Sequence, residues 1–242
     1  MRISQTRSGG HPGAAILLGV TCLPAMLVIG LTAQTPSTAR AAAQIEFNFE
    51  NAGLDPQRYS IKVDESGHGH YHSEPGPHKP DAEAGEMPSQ PQETDIQLSP
   101  ATRDYLFATA RARQFFARNC DDGKGKVAFE GKKQVSYHGA DGTGSCTYNW
   151  SKDDRIDRLT HIFGGISETL EAGSRLAIEH RHDPLALDHE LRALALDFKE
   201  GRAFEVGNIA GELQSIVQDE SVMVRARSRA GELLRASNRN PD

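Results

Sequence analysis

Two cysteines, Cys120 and Cys146, lie in a stretch of strand-like sequence, and a bond between them would restrict the possible folds more than any other feature. Apolar and polar residues alternate in three short runs over residues 127–150, as in strands that bury one face. The apolar positions are Val127 and Phe129, then Val135 and Tyr137, then Cys146, Tyr148 and Trp150. Glycine-containing turns separate the runs, so the sequence predicts a three-stranded antiparallel meander.

The cysteine count favours a disulfide. Cys22, the third cysteine, lies in an apolar N-terminal segment, which leaves Cys120 and Cys146 as an even pair in the rest of the chain. Two free thiols are the alternative. We predict that the bond joins the end of a preceding helix to the meander, and that residues 96–150 form a disulfide-stapled α+β unit.

The N-terminal segment favours export. An apolar run of 20 residues, 14–33, follows Arg2 and Arg7, and small residues that fit an A-x-A cleavage pattern come after it. Residues 1–43 therefore predict a signal peptide, and the protein would be periplasmic or secreted. The run is also close to the ~20 residues that span a bilayer. A signal anchor that holds the protein in the inner membrane through residues 14–33 is therefore the alternative.

The charge of the chain argues against a nucleic-acid partner. The formal net charge is −6, and residues 1–43 contain three arginines and no acidic residue, so residues 44–242 carry −9. Domains that bind nucleic acids usually present an excess of lysine and arginine. We therefore predict no nucleic-acid partner, and contact with a membrane only through an uncleaved N-terminal anchor.

Residues 44–72 have the period-two pattern of strands, and a linker is predicted after them. The apolar positions are Ile45, Phe47 and Phe49, then Tyr59, Ile61 and Val63, then Gly69 and Tyr71. These runs predict another three-stranded meander. Residues 73–95 contain five of the twelve prolines and few large apolar residues, so we predict a flexible linker there.

Helical spacing of apolar residues replaces alternation in two regions. Ser99, followed by Pro100, is typical of a helix start, and the apolar pattern continues to Asn119. Residues 151–237 contain four more helical stripes, and residues 238–242 are predicted to be a disordered tail. The predicted fold class is α+β. It has a small antiparallel sheet of two three-stranded meanders packed on one helix, followed by an all-α tail of four helices.

Two resemblances concern the layout of the chain. The last two helices resemble one helical hairpin of the HEAT-repeat type. The residues that carry this resemblance are Asp219, Val222, Arg225, Ala226, Ala230 and Leu233. The segments YSIKVDESGHGHYHSEPG, LSPATRDYLF and GKGKVAFEGKKQVSYHGADGTGSCTYNW resemble those of secreted bacterial proteins that have no assigned function. This second resemblance covers most of the chain after residue 43 and implies no activity.

Three histidines at alternate positions, His68, His70 and His72, are the candidate metal ligands. Alternate residues of a strand share a face, so two of these imidazoles could bind one zinc or copper ion. The outer pair lies about 13 Å apart, so a site would need a ligand from elsewhere. Candidates for that ligand are Glu74, His78 and His138. A solvated face is one alternative, and a patch whose charge depends on pH is another, because histidine titrates near ~6.5.

No catalytic signature is present in the sequence, which lacks H-E-x-x-H, G-x-S-x-G, P-loop and G-x-G-x-x-G motifs. We therefore expect no cofactor and favour a non-enzymatic exported protein, which is either a protein-interaction module or a structural module. A protein partner would bind through the helical tail. The last helix has a basic side, which is either a solvated face or a contact for an acidic partner or a lipid headgroup. Its residues are Arg225, Arg227, Arg229 and Arg235. A zinc- or copper-binding protein and a hydrolase with an unrecognised site are the alternatives.

Overall fold

The computed structural model describes residues 42–77, 90–121 and 128–237. The predicted signal segment, except its last two residues, the middle of the predicted linker and the predicted C-terminal tail lie outside the described residues. Ala43, the last residue of the predicted signal segment, is buried, and its carbonyl accepts a hydrogen bond from the Glu65 amide at 3.1 Å. The folded core therefore includes this residue.

Six antiparallel strands form one sheet, in the order β4-β3-β2-β1-β5-β6. The strands are β1 (Gln44–Glu50), β2 (Arg58–Asp64), β3 (His68–Glu74), β4 (Gln92–Gln97), β5 (Lys132–Gly139) and β6 (Gly142–Tyr148). Phe47 of β1 lies opposite Ile61 of β2 on one side and Val135 of β5 on the other. The sheet confirms the predicted α+β class and the antiparallel sheet, and the two groups of strands are joined because β1 pairs with β5.

The predicted linker is too long at both ends. Ser73 and Glu74 complete β3, and residues 92–97 form the edge strand β4. β4 pairs with β3 along its length, and Asp95 lies opposite His70. The sequence pattern fails here because β4 has one fully buried side chain, Ile96, and therefore lacks the alternation of a core strand.

The predicted first strand of the second meander is not formed at its described positions. Ala128 and Phe129 have no regular secondary structure, and the Phe129 side chain is 67% exposed, whereas Val127 lies outside the described residues. β5 and β6 form a hairpin that turns at Ala140 and Asp141. β5 pairs instead with β1, and Ala128 and Phe129 take no position in the sheet.

One face of the sheet is buried and the other is polar. The buried face carries Ile45, Phe47, Ile61, Val63, Tyr71, Ile96, Val135, Tyr137, Cys146 and Tyr148. Alternate positions form the open face, where one row across five strands consists entirely of polar residues. That row is Gln134, Asn48, Ser60, His72 and Glu93. Strand alternation therefore assigned the two faces correctly.

Five α-helices complete the fold. They are α1 (Pro100–Ala112), α2 (Asp154–His182), α3 (Leu187–Lys199), α4 (Ala210–Gln218) and α5 (Val224–Ser237). The predicted helix to Asn119 ends early, because α1 stops at Ala112 and a 3₁₀ turn at Gln114–Phe116 follows, with positive φ angles. The four predicted helices of residues 151–237 are confirmed as α2–α5. Within the described ranges, no helix combines the length and the apolar character needed to cross a bilayer.

Two helices, rather than the predicted one, cover the buried face of the sheet. Phe107 of α1 meets Tyr137 edge-on, with ring centroids 6.3 Å apart. Phe163 of α2 stacks on Phe47 at 4.8 Å, so the first helix of the predicted tail belongs to the α+β core. Gly165 lets the backbone of Arg202, in the segment after α3, approach α2 closely, because a Cβ at position 165 would clash with the carbonyl oxygen of Arg202.

The Sγ atoms of Cys120 and Cys146 lie 2.09 Å apart, at disulfide distance. Cys146 is on β6, as predicted, but Cys120 follows α1 by eight residues and does not close the helix. Both side chains are buried. The pair therefore ties the segment after the 3₁₀ turn, rather than the helix itself, to the edge of the sheet.

Candidate functional site

The three predicted metal-ligand histidines lie on the open face of β3, and two of them contact carboxylates. Nδ1 of His70 is 3.1 Å from Oδ1 of Asp95 on β4. Nδ1 of His72 is 3.4 Å from Oε1 of Glu93, and its Nε2 is 3.9 Å from Oε1 of Glu74. These contacts place His70 and His72 beside carboxylates of β3 and β4 on the open face.

The structure places Glu74 beside His72 but does not gather the described candidate ligands into one metal site. Among the described residues, no three histidine, cysteine, aspartate or glutamate side chains form a group that could hold a metal ion. His138 lies on β5, about 14 Å from β3 across two intervening strands, and its Nδ1 contacts Oγ1 of Thr143 at 3.0 Å. His78 lies outside the described residues. Zinc or copper binding by His68, His70 and His72 stays a prediction.

A buried carboxylate joins α2 to the sheet. Glu171 is 3% exposed and accepts hydrogen bonds from the Tyr71 hydroxyl, the Ser73 hydroxyl and the Gln92 side-chain amide, each at 2.7 Å. Ser167, one turn earlier on α2, contacts the same Tyr71 hydroxyl at 2.9 Å. Burial and the Glu171 carboxylate raise the pKa of Tyr71. The Tyr71 and Ser73 donors are buried and the Gln92 donor is partly buried, so this network ties α2 to β3 and β4.

A cleft of about 300 Å³ separates α2 from α3. At its centre, Nη2 of Arg175 donates to Oε1 of Glu190 at 2.7 Å. Burial raises the pKa of Glu168 at one side of the cleft, and burial together with the Glu190 charge raises the pKa of Glu179 to about 7. The described lining contains no serine, threonine, cysteine, lysine or histidine. Glu179 is not among the residues that line the cleft, whose described lining is composed of carboxylates, arginines and apolar side chains.

A cavity of about 520 Å³ lies where α1 begins. The carboxylate of Glu205 occupies this helix start, since it accepts hydrogen bonds from the amide (2.9 Å) and the hydroxyl (2.8 Å) of Ser99. It takes the position that an external anion would otherwise occupy. His161 lines the same cavity but contacts Asp157, 3.6 Å away. The serine and the histidine are therefore engaged with different partners.

Three arginines converge on one buried carboxylate where α3 meets α5. Asp188, in the first turn of α3, has a side chain that is 5% exposed. Nε of Arg225 lies 3.1 Å from its Oδ2, Nη2 of Arg192 lies 3.4 Å from the same atom, and Nη1 of Arg229 donates to Oδ1. Sequence analysis selected Arg225 and Arg229 for their basic character, but it missed Asp188 and Arg192.

Two exposed apolar side chains accompany this cluster. Val224 precedes Arg225 and is 73% exposed, and Leu185, three residues before Asp188, is 74% exposed. Because Asp188 contacts Arg225, the neighbouring Leu185 and Val224 lie at the same end of the helical region. We call the surface formed by Leu185, Asp188, Arg192, Val224, Arg225 and Arg229 the α3–α5 end.

Comparison with known proteins identifies no relative: no protein-family model matches the chain, and no curated protein matches it.

Proposed function

We propose that this protein is a non-enzymatic binding module that acts outside the cytoplasm and contacts another protein through its helical region. The observation that carries the proposal is the α3–α5 end, where Leu185 and Val224 are exposed beside three arginines. Arginine and large apolar side chains are enriched at protein interfaces, and buried apolar anchors supply much of the binding energy. This surface offers both.

Two further features support the proposal. Cys120 and Cys146 are buried at disulfide distance, an arrangement that persists in oxidising compartments outside the cytoplasm. Polar groups also bind one another in the 520 Å³ cavity, where Ser99 contacts Glu205, and in the cleft between α2 and α3, where Arg175 contacts Glu190. Groups engaged in this way favour a structural role over catalysis.

A comparative pull-down tests the proposed contact. Purified protein that lacks residues 1–41 is immobilised and exposed to the extracytoplasmic fraction of the source cells, and retained proteins are identified by mass spectrometry. The Leu185→Ser/Val224→Ser double variant should lose the partner, whereas Leu54→Ser should keep it, because Leu54 is exposed in the β1–β2 turn. A partner that every variant retains equally would exclude the α3–α5 end as the contact.

The enzymatic alternative needs a separate assay. The same purified protein is incubated with a panel of ester, peptide, glycoside and phosphate-ester substrates, and we expect no turnover above the buffer control. Turnover that Glu179→Gln or His161→Ala abolishes would show that the protein is an enzyme and contradict the proposal.

A further inference from the structure

The arginine cluster has more positive charge than its carboxylate neutralises. Arg192, Arg225 and Arg229 contribute three positive charges and Asp188 one negative charge, which leaves a local excess of two. Among the described residues, Asp188 is the carboxylate within ion-pair distance of these three arginines. Glu190 binds Arg175 at 2.7 Å, and Asp183 accepts hydrogen bonds from the backbone amides of residues 185 and 186. Three arginines therefore share one directly contacting carboxylate, at the surface of a protein with net negative charge.

Two of the three guanidinium groups face solvent. The side chains of Arg192 and Arg225 are 64% and 65% exposed, whereas Arg229 is 29% exposed and also donates to the backbone carbonyl of Asp188 at 3.4 Å. A guanidinium group has five N–H donors in a planar fork, and Asp188 can occupy only some of them. The exposed sides of Arg192 and Arg225 thus carry donors that point away from Asp188.

Asp188 also fixes the positions of these donors. Its side chain is buried, and it contacts arginines from two helices, so it fixes α3 and α5 side chains relative to each other. Like-charged guanidinium groups would otherwise move apart. Positioning them in advance reduces the side-chain entropy that a ligand would have to remove on binding.

We propose that Arg192, Arg225 and Arg229, held together by Asp188, form a binding site for a doubly charged phosphate group. The excess of two positive charges matches the phosphate dianion, and forked guanidinium donors suit its oxygens geometrically. The site lies within the α3–α5 end but needs no protein partner. It therefore stands or falls independently of the proposed function. A phosphate group of this kind is present in inorganic phosphate and in a phosphatidic acid headgroup.

Phosphate binding is measured directly by NMR on ¹⁵N-labelled protein lacking residues 1–41. Inorganic phosphate at pH 7.5 should shift the Nε–H resonances of Arg225 and Arg229 in a saturable manner, with chloride as the control anion. Arg225→Gln and Arg192→Gln should each weaken binding about tenfold or more, because each removes a charge-assisted hydrogen bond. Arg227→Gln is the matched control, since it removes the same charge from α5 but its guanidinium donates to the carbonyl of Val222.

Vesicles identify the source of the phosphate. Co-sedimentation compares phosphatidylcholine vesicles with vesicles that also contain phosphatidic acid. The site is supported, and its ligand is a lipid headgroup, if the protein binds only the vesicles that contain phosphatidic acid and if Arg225→Gln loses this binding while Arg227→Gln keeps it. The site is supported for a free phosphate if inorganic phosphate binds saturably and the vesicles do not bind. The proposal is overturned if neither probe binds, or if Arg225→Gln and Arg227→Gln weaken binding equally. Thermal unfolding of each variant confirms that it is folded.

Discussion

Replacing Glu171 with alanine tests whether the buried carboxylate holds α2 on the sheet. Its side chain accepts three hydrogen bonds of 2.7 Å, from Tyr71, Ser73 and Gln92. A hydrogen bond to a charged group contributes about 1.5–3 kcal/mol, and the substitution leaves two buried hydroxyl groups without this acceptor. The losses do not sum, because Tyr71 keeps its contact with Ser167 and Gln92 can bind water. We expect Glu171→Ala to lower the free energy of unfolding by about 3–4 kcal/mol.

Urea unfolding of the oxidised protein, followed by circular dichroism, measures this loss. Glu232→Ala is the control, since it makes the same change at an exposed position of α5 and should cost less than about 0.5 kcal/mol. A double-mutant cycle with Tyr71→Phe should give a coupling energy of about 1 kcal/mol or more. The reasoning is refuted if Glu171→Ala costs no more than Glu232→Ala, or if Glu171→Ala and Tyr71→Phe are additive.

Two other predictions concern stability. Cys120→Ser/Cys146→Ser should lower the free energy of unfolding by about 3.5 kcal/mol, which is the loop-closure value for a separation of 26 residues. The same urea assay measures this loss, and equal stability of the variant and the oxidised protein would contradict the bond. Glu179→Gln should flatten the pH dependence of stability. The folded protein holds the Glu179 proton up to a pKa of about 7, against 4.5 in a model peptide, so wild-type stability falls as pH rises from about 4.5 to 7. At pH 8 the variant should be more stable by at most about 1 kcal/mol, because solvent screens this partly exposed group, and identical wild-type and variant profiles would contradict the argument.

Local patterns predicted the elements that bury an alternating or helical face, and failed where burial depends on distant partners. The alternation of Ile45, Phe47, Ile61 and Val63 predicted β1 and β2 because each of these side chains enters the core. The pairing of β1 with β5 joins residues about 90 positions apart, and no local pattern contains this information. β4 was missed because an edge strand with one buried side chain has the composition of a loop.

The candidate sites show the same division. Ser167 and Glu171 follow Phe163 at intervals of four, so polar residues interrupt the apolar face of α2, and this spacing was a readable sign of a buried network. Asp188 gave no comparable sign. An acidic residue in the first turn of a helix usually complements the helix dipole, and its burial follows only from the packing of α3 against α5.

The surface that the fold leaves available for binding a partner is more charged than apolar. The stripes that suggested docking helices, at Leu191, Leu213 and Leu233, are buried in the same core as the sheet, and the open face of the sheet is polar. In the described part of the chain, the α3–α5 end combines exposed apolar side chains with three arginines that share one contacting carboxylate. Charged contacts at an exposed surface are screened over about 8 Å at physiological ionic strength. Binding to the arginines should therefore weaken steadily as sodium chloride rises, whereas binding through Leu185 and Val224 should persist, so a salt series separates the two contributions.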